Sequence, residues 1–476
     1  MGEYSCGLFL VLCFGLKQSE MNNNRRSFIK TGVAVSAGLA IAPSLTFGSV
    51  SGTEKARIAF IGVGLRGRDH LTNMLLRNDV IVPAICDIDP VALSEAKKLI
   101  NKHNHPMPAF YTGNDFSFMD LLARNDIDGV VIATPWLWHT RMAVATMKAG
   151  KHAGVEVSAA TTMEECWDLV NTHEETGKHC MILENACYSR DVLAVLQMVR
   201  ANLFGELIHA RCGYQHDLRE VKFNNGKQSY GGGVEFGEKA INEAHWRTEH
   251  SLKQNADVYP THGIGPIATM LNINRGNRFL SLTSIASKAR GLHDYIINHP
   301  EGGPNHPNAK LVWKLGDVVT TTIKTANEET IIVTHDTNLA RPYSMGFRVQ
   351  GVKGLTEFDS HNNRIYIDGH SEQHKWDDMN NYLKKYDHPL WKRWGEHATS
   401  AGHGGIDFFI DNAFVEFIKR GDYPPIDVYD AAAWSAITPL SEVSIANNGE
   451  PQEFPDFTRG QWITNKPIFA LKGDEY

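Results

Sequence analysis

The stretch Arg57-Ile58-Ala59-Phe60-Ile61-Gly62-Val63-Gly64-Leu65-Arg66-Gly67 decides the fold. Its first five residues form a short apolar run of the buried-strand kind, and a helical pattern follows from Arg68 to Leu76. The glycines Gly62, Gly64 and Gly67 permit a tight turn and let the backbone approach a pyrophosphate at the start of that helix. Strand, G-x-G-x-x-G and helix in this order predict a Rossmann dinucleotide-binding domain.

An acidic residue ends the next predicted strand. The apolar run from Val80 to Ile85 leads to Cys86-Asp87, and Asp87 lies 20 residues beyond Gly67. A carboxylate at this place accepts hydrogen bonds from a ribose 2′-hydroxyl and repels a 2′-phosphate. We therefore predict NAD rather than NADP as the cofactor.

The alternation of strands and helices continues to about residue 187. The next strand, Gly129–Pro135, is followed by Trp136-Leu137-Trp138-His139, at the strand end where ligands gather in parallel sheets. The two tryptophans fit ligand contact and simple packing equally well, whereas His139 is expected to be functional. Two further strands are predicted at Lys151–Val157 and Cys180–Glu184, with Asn185 and Tyr188 after the second.

The alternation then stops, and clustered strands predict an α+β domain with a mixed or antiparallel sheet. The predicted domains are 55–187 for NAD, 188–450 for the substrate and 451–476 as a tail. The loop Asn298–Asn308, rich in His, Pro and Gly, is expected to be exposed. The predicted strands of the second domain are Leu280–Ser284, Leu311–Trp313, Val318–Lys324, Thr330–His335, Gly346–Gly351 and Gly354–Phe358.

One local cluster in the second domain indicates a site. Trp246-Arg247 precedes Tyr259-Pro260-Thr261-His262, and His262 begins a helical stretch with few charges. A histidine there serves either as a functional group at a domain interface or as a hydrogen-bonded core residue. Zinc fits poorly because no second His or Cys stands at ligand spacing. His397 and His403 resemble a metal pair, but the glycines around His403 favour a flexible loop, so no metal is predicted.

The chain begins with a predicted export signal. Asn24-Arg25-Arg26-Ser27-Phe28-Ile29-Lys30 has the paired arginines of a twin-arginine signal, and the uncharged run Thr31–Ala42 follows. Residues 1–50 are therefore assigned to the signal region, with Met21 as an alternative start; a basic helix of the mature protein is the alternative interpretation. The prediction is a periplasmic or otherwise exported protein that uses the twin-arginine export machinery.

Composition excludes several classes of protein. The 476 residues are 42% apolar and 21% charged, which fits a globular chain of two domains. The net charge of -7, without a basic stripe outside the signal, argues against nucleic-acid binding. The five cysteines beyond the signal show no C-x-x-C pair, and they are expected to be buried and reduced.

Beyond these motifs, the chain resembles a known family. It is similar to the glucose–fructose oxidoreductase and inositol dehydrogenase superfamily, and within it to glycoside hydrolase family 109, the NAD-dependent α-N-acetylgalactosaminidases. The segments that carry the resemblance span roughly residues 57 to 350. They are Gly62–Gly67, Trp136–His139, Glu156-Val157-Ser158, Tyr259–His262 and Arg341-Pro342-Tyr343-Ser344.

The resemblance implies two sets of site residues. Those expected to line the NAD site, besides the glycines, are Leu65, Arg66, Asp87, Trp136, Leu137, Trp138, His139, Glu156, Val157 and Asn185. Those expected to line the sugar site are Tyr214, Arg247, Tyr259, Pro260, Thr261, His262 and Tyr343. His262, Tyr259 and Tyr343 are the predicted catalytic residues, and analogy with the superfamily suggests a homodimer.

The chain departs from the sugar dehydrogenases of the superfamily at two positions. These usually carry Glu-Lys-Pro where this chain has Glu156-Val157-Ser158, and an Asp where it has Val258. Both departures are shared with family 109. The resemblance implies hydrolysis of a glycan with terminal N-acetylgalactosamine, α-linked by expectation, through oxidation at C3, elimination, addition of water and reduction. Because little free NAD exists outside the cytoplasm, the NAD is expected to stay bound and to be recycled.

Two other functions remain open at this stage. A periplasmic sugar oxidoreductase of the glucose–fructose type would also keep its NAD and cycle it between two sugars. A non-catalytic NAD-binding protein would not exchange the C2 proton of a sugar with solvent. The missing lysine argues against the first of these.

Overall fold

The computed structural model describes residues 55–359, 363–398, 402–471, 473 and 476. The predicted signal region, residues 1–50, lies outside them. Within the described ranges, no helix combines the length and the apolar composition needed to cross a membrane.

The first half of the described chain forms a seven-stranded, all-parallel sheet with helices between its strands. The strand order is β4-β3-β1-β5-β6-β7, and β2 also pairs with β1. The elements are β1 (Ala56–Ile61), α1 (Leu65–Leu75), β2 (Val80–Ile81), β3 (Ala84–Cys86), α2 (Pro90–Lys102), β4 (Ala109–Tyr111), α3 (Phe118–Leu122), β5 (Gly129–Ile132), α4 (Trp136–Lys148), β6 (His152–Val155), α5 (Met163–Thr176) and β7 (Cys180–Ile182).

The second half is built on a nine-stranded mixed sheet of order β15-β14-β13-β12-β8-β11-β10-β9-β16, in which only β8 and β11 pair in parallel. Its elements are α6 (Arg190–Arg200), β8 (Leu207–Gln215), α7 (Arg219–Lys222), α8 (Glu243–Lys253), α9 (Thr261–Met270), β9 (Phe279–Ala286), α10 (Gly291–Asn298), β10 (Val318–Thr325), β11 (Thr330–Asp336), β12 (Phe347–Gly351), β13 (Gly354–Phe358), β14 (Arg364–Ile367), β15 (Asp377–Asp378), α11 (Asn380–Tyr386), α12 (Pro389–Ala398), α13 (Ile406–Arg420), α14 (Val428–Ser435), α15 (Ile437–Ala446) and β16 (Gln452–Glu453). A Rossmann domain followed by an α+β domain is the predicted fold class, which is confirmed.

Some local predictions differ from the structure. Leu311–Trp313 is not a strand, because Trp313 packs into a small separate cluster that includes Phe223 and Leu292. Strand β14 was not predicted. The segment after 450, expected as a tail, adds β16 to the second sheet and buries Phe454 and Phe457. Its aromatic side chains explain the difference, because a short segment with several large apolar groups gains free energy by packing. The predicted exposed loop Asn298–Asn308 has no buried residue, as expected.

Helix α13, from the segment predicted as substrate domain, lies on the Rossmann sheet. Phe414 packs over the two glycines at neighbouring places on β5 and β6, Gly129 and Gly154. A Cβ atom on Gly154 would lie 2.8 Å from Phe414 Cε2, and one on Gly129 would lie 2.6 Å from Ile418 Cδ1. Because these two glycines have no side chains, there is room between the strands and α13 for the ring of Phe414.

We expect Gly154→Ala to lower the free energy of unfolding by about 1–3 kcal/mol, the usual cost of overpacking a core. Urea denaturation monitored by circular dichroism measures the change. In a Phe414→Leu background the same substitution is expected to cost less, because the ring that it meets is gone. An equal cost in both backgrounds would show that Phe414 is not the cause.

Candidate active site

The glycine-rich turn after β1 forms a cradle at the amino end of α1. Gly62 has φ +87°, which favours glycine, and a Cβ atom on Gly67 would lie 2.1 Å from the carbonyl oxygen of Gly62. A Cβ atom on Gly64 would meet nothing within 4 Å, so the space above this residue is open. The first turn of α1 has no side-chain cap, and its N–H groups point at that space. The cradle fits a dinucleotide pyrophosphate.

Asp87 stands at the end of β3 beside the cradle. Its Oδ2 accepts the N–H of Val63 at 2.7 Å and its Oδ1 accepts the N–H of Asp89 at 2.9 Å. Burial raises the pKa of Asp87, while these backbone hydrogen bonds favour the charged form. The half-buried carboxylate is fixed in place and keeps further acceptor capacity for a ribose hydroxyl.

A second cluster of candidate site residues, made of Tyr214, Tyr259, His262 and Tyr343, lies where α9 meets β8. A Cβ atom on Gly263 would lie 2.6 Å from the backbone nitrogen of Gly213, so two glycines let the helix approach the strand closely. This contact brings the ring of His262 to 5.4 Å from that of Tyr214. Tyr259 lies between them, with its hydroxyl 3.4 Å from His262 Nε2.

Tyr343 completes the cluster from a different segment. Ser344 forms an antiparallel bridge with Gln215 at the end of β8, and this places Tyr343 beside Tyr214 with ring centroids 6.3 Å apart. Tyr343 is 41% exposed, whereas Tyr214 and Tyr259 are buried. The three phenols and His262 thus form one wall that runs from the core to the surface.

Arg247 lies behind this wall. Its guanidinium is 4.9 Å from the ring centre of Tyr259 and 5.0 Å from that of Trp136, and it pairs with Glu243. Trp136 stacks on Tyr259 at 5.4 Å, so this tryptophan belongs to the second cluster. Burial raises the pKa of Tyr259 well above its usual range, although Arg247 acts in the opposite direction. The Tyr259 phenol therefore stays protonated near neutral pH and serves as a hydrogen-bond donor.

Comparisons with known proteins identify the family. Residues 188–464 match the C-terminal domain of glycosyl hydrolase 109, and residues 56–184 match an oxidoreductase family with an NAD-binding Rossmann fold. An α-N-acetylgalactosaminidase of Tannerella forsythia is 51% identical over 95% of this chain and 100% of its own length. A family 109 protein of Stenotrophomonas maltophilia is 51% identical over 94% and 98%.

The chain belongs to glycosyl hydrolase family 109. The family predicted from the sequence is thus confirmed, and with it an enzyme that has an NAD-binding Rossmann domain. Among solved structures, a levoglucosan dehydrogenase in complex with NADH has a TM-score of 0.61 at 18% identity and covers 85% of this chain and 100% of its own. An inositol dehydrogenase homologue of Azotobacter vinelandii complexed with NAD+ has a TM-score of 0.60 at 18% identity and covers 84% and 98%. These two similarities concern the fold.

The residues of Trp136–His139, all predicted to contact the cofactor, have different surroundings in this family 109 chain. Leu137 is 60% exposed, and Trp138 contacts Phe116 and Arg141 away from the second cluster. The ring of His139 is buried between two carbonyl oxygens, those of Ser158 at 2.7 Å and Thr134 at 2.6 Å. The side chain of His139 therefore braces the turn after β5 and leaves only its backbone for a ligand.

The side chains of two predicted sugar-site residues, Pro260 and Thr261, do not belong to the second cluster. Pro260 immediately precedes α9, and Thr261 is fully buried, with a hydroxyl that has no hydrogen-bond partner among the described residues. Their place in the chain fixes His262, whose ring is 18% exposed.

Arg66, Glu156 and Asn185 belong to a buried ion-pair network that ties the cradle to α13. Arg66 donates to Glu156 at 2.6 Å and to both oxygens of Asp407, and Asn185 also donates to Asp407. Burial opposes ionisation of Glu156, but the charges of Arg66 and His70 and the hydrogen bonds from His70 and the backbone of Val157 together outweigh it and lower the pKa of Glu156. The guanidinium of Arg66 is thus engaged by carboxylates, and its backbone N–H remains for the cofactor.

The loop predicted around His403 lies partly outside the described residues, because 399–401 are not among them. His397 lies on α12, and His403 begins a short 3-10 helix and binds Asp407 at 2.7 Å. Ligand atoms of Asp69, His403 and Asp407 lie within 4.8 Å of one another. Because Arg66 already donates to both oxygens of Asp407, this group belongs to the ion-pair network.

His70 joins this network as a buried cation. Its ring lies 2.7 Å from both Asp411 Oδ1 and Glu156 Oε1. Burial disfavours its charge and Arg66 acts in the same direction, but the charge of Asp411 and the hydrogen bonds to Asp411 and Glu156 together outweigh both, and the pKa of His70 rises from 6.5 to about 10. Between these pH values the folded protein binds more protons than the unfolded chain, so this stabilisation is complete below pH 6.5 and is lost as the pH rises towards 10.

We expect the stability difference between the wild type and His70→Gln to shrink by roughly 2–4 kcal/mol over that pH range. Urea denaturation at pH 6, 8 and 10 measures it. The difference between wild type and variant removes the contributions of all other titratable groups. One of these is the buried Lys222. Burial lowers the pKa of Lys222 to about 7, so its contribution to stability changes with pH in the opposite direction. A constant difference across the range would show that His70 is neutral in the folded protein.

Glu184, which was not predicted from the sequence, contacts His262 directly. Glu184 Oε1 lies 2.6 Å from His262 Nδ1, and the side chain is fully buried after β7. A carboxylate at the carboxyl end of a parallel strand is a signal that was available, but nothing in the sequence connects it with a histidine 78 positions later. His250, which contacts Trp136 together with Trp246, was also not assigned to the site.

Proposed function

We propose that this family 109 enzyme hydrolyses terminal α-N-acetylgalactosaminides with a resident NAD. The observation that carries the proposal is the pair formed by His262 Nε2 and the Tyr259 hydroxyl, 3.4 Å apart at the partly open wall of phenols. The cradle at Gly62–Gly67 and Asp87 would hold the NAD, and Asp87 favours it over NADP. The relative from Tannerella forsythia, named for this activity, supports the substrate.

NAD, when bound, supplies the reversible removal of hydride from C3 of the sugar. The residues of the chain then act on the proton at C2, which a ketone at C3 makes acidic. The Tyr259 phenol stays protonated, and we assign the acceptance of this proton to His262 Nε2, which lies 3.4 Å from that hydroxyl. Tyr259 donates a hydrogen bond to the sugar oxygen, while Tyr214 and Tyr343 hold the ring.

Arg247 has a positioning role in this proposal. It is buried and paired with Glu243, and its guanidinium contacts both rings of the stacked pair Trp136 and Tyr259, so it cannot move without losing both contacts. Its charge keeps the wall attractive to oxygen atoms of the substrate, such as the carbonyl of the N-acetyl group. No pair of carboxylates on either side of the glycosidic bond is needed, in contrast to most glycosidases.

The test is the p-nitrophenyl α-glycoside of N-acetylgalactosamine in deuterated water, without added NAD. Release of p-nitrophenol with deuterium at C2 of the sugar is the expected result. Release without deuterium would overturn the redox route and keep the glycosidase. No release, with NAD present in the protein, would favour a sugar oxidoreductase of the glucose–fructose type; no release and no NAD would overturn the proposal.

We also propose export by the twin-arginine route, supported by Arg25-Arg26 and by the need to load NAD before translocation. Changing both arginines to lysine is expected to leave the protein in the cytoplasmic fraction. A homodimer is proposed by analogy with the superfamily. Light scattering after size exclusion decides it, since the mass of one chain would contradict it.

A further inference from the structure

Glu184 is held more tightly than a simple pairing with His262 requires. Its Oε1 accepts the backbone N–H of Ala186 at 3.0 Å in addition to the contact with His262. A Cβ atom on Gly265 would lie 2.9 Å from Glu184 Cγ, 3.0 Å from Trp434 Cζ3 and 3.2 Å from Cys187 Sγ. Gly265 stands one turn after His262 on α9. The absence of a side chain there lets the helix that carries the histidine approach the carboxylate.

These contacts show where the proton of the short hydrogen bond lies. Glu184 Oε1 accepts the N–H of Ala186, and as an ionised carboxylate it can only accept from His262 as well, so the proton of this hydrogen bond is placed on Nδ1. Glu184 Oε2 is buried without a partner among the described residues, so protonating it gains no hydrogen bond. A buried carboxylate is costly unless it is paired, and here the imidazole is its partner.

We propose that Glu184 is the positioning residue that makes His262 a base. By accepting the Nδ1 proton it fixes the tautomer that presents the lone pair of Nε2 to the sugar, and it stabilises the imidazolium that forms afterwards. This inference rests on the proposed function, which it extends by naming the group that activates the base.

The carboxylate that contacts His262 comes from a different domain and not from the segment that precedes this histidine. The position four residues before His262 is occupied by Val258, which offers no carboxylate. The neighbouring Asp257 does not supply one either, because its Oδ1 faces the N–H of Tyr259 at 3.3 Å and its backbone contacts Ser441 and Thr438 of α15. Glu184 reaches His262 from the Rossmann domain instead, so the base is complete only when the two domains are packed together.

In the step that Glu184 supports, the C2–H bond breaks and its proton moves to His262 Nε2. The electron pair of that bond forms the C1–C2 double bond of the 3-keto sugar, and the C1–O bond to the aglycone breaks with its electrons on the departing oxygen. That oxygen takes a proton from solvent. Glu184 stays ionised throughout and His262 carries the positive charge until it returns its proton.

The test compares Glu184→Gln, Glu184→Leu and Glu184→Asp with Glu95→Gln, a control at an exposed pair with Lys98. We expect kcat on the p-nitrophenyl glycoside to fall about 10–100-fold in the Gln and Leu variants with KM nearly unchanged, as for other partners that orient a histidine. Glu184→Asp is expected to be intermediate. The isotope effect on kcat with C2-deuterated substrate should rise, because proton removal becomes slower. A merely structural role would lower thermal stability and leave the isotope effect unchanged, which would overturn the proposal.

A second readout needs no substrate. In protein labelled with ¹⁵N-histidine, the signals of His262 are identified by their loss in His262→Gln, and their shifts report which nitrogen carries the proton. We expect Nδ1–H in the wild type and a mixture or Nε2–H in Glu184→Leu. The same tautomer in both would overturn the proposal. If the wild type hydrolyses no glycoside but the tautomer changes, the proposed function fails while the positioning by Glu184 stands.

Discussion

His262→Gln is expected to lower kcat on the p-nitrophenyl α-glycoside of N-acetylgalactosamine by about 10²–10⁴-fold, the usual contribution of a general base. The reason is geometric, because Nε2 of His262 lies 3.4 Å from the Tyr259 hydroxyl in the partly open wall, while the Tyr259 phenol stays protonated. Steady-state release of p-nitrophenol measures the effect. Incorporation of solvent deuterium at C2 is expected to fall by the same factor.

Two controls accompany this variant. His370→Gln changes an exposed histidine far from the site in sequence and is expected to keep wild-type turnover. The NAD content of His262→Gln, measured by the absorbance of the cofactor released on denaturation, should equal that of the wild type, since His262 has no contact with the cradle. Full turnover in His262→Gln would show that another group removes the C2 proton.

Replacement of the glycines in the cradle is expected to have the second large effect. In Gly64→Ala the new methyl group meets no protein atom within 4 Å, and the backbone at this residue has φ -63°, which alanine adopts. The thermal stability of the NAD-free protein should therefore stay within about 0.5 kcal/mol of the wild type. Cofactor retention should fall at least about tenfold, because the methyl group fills the space that the pyrophosphate needs.

Gly67→Ala is the control for Gly64→Ala, because here the added methyl group collides with the protein itself. Its Cβ atom would lie 2.1 Å from the carbonyl oxygen of Gly62, so the turn must open. We expect loss of both the cofactor and folding stability. Calorimetry and cofactor absorbance on the two variants separate the effects. Normal NAD content in Gly64→Ala would mean that the open space above this residue is not where the cofactor lies.

The order of secondary-structure elements was accessible from the sequence because each signal is local. The strand before Gly62, the turn and α1 are consecutive, and Asp87 follows within the same βαβ unit. Residues of the second cluster were also found, since Tyr259 and His262 stand three positions apart on one segment. Predictions about side-chain direction were weaker: His139 and Thr261 both stand at the right place in the chain, but their side chains point into the protein.

The sequence by itself determined the Rossmann turn, the position of Asp87 after the next strand and the family, because glycine, hydrophobic periodicity and short motifs act over a few residues. Only the tertiary structure decided which side chains that are far apart in the sequence come into contact. Glu184 reaches His262 across 78 positions, and Arg66 reaches Asp407 across 341. These contacts depend on how closely helices approach the sheets, which is set by glycines such as Gly263, Gly265 and Gly154 that face other elements. The physical reason is that the packing of whole elements, and no local pattern, fixes the distance between side chains far apart in the chain.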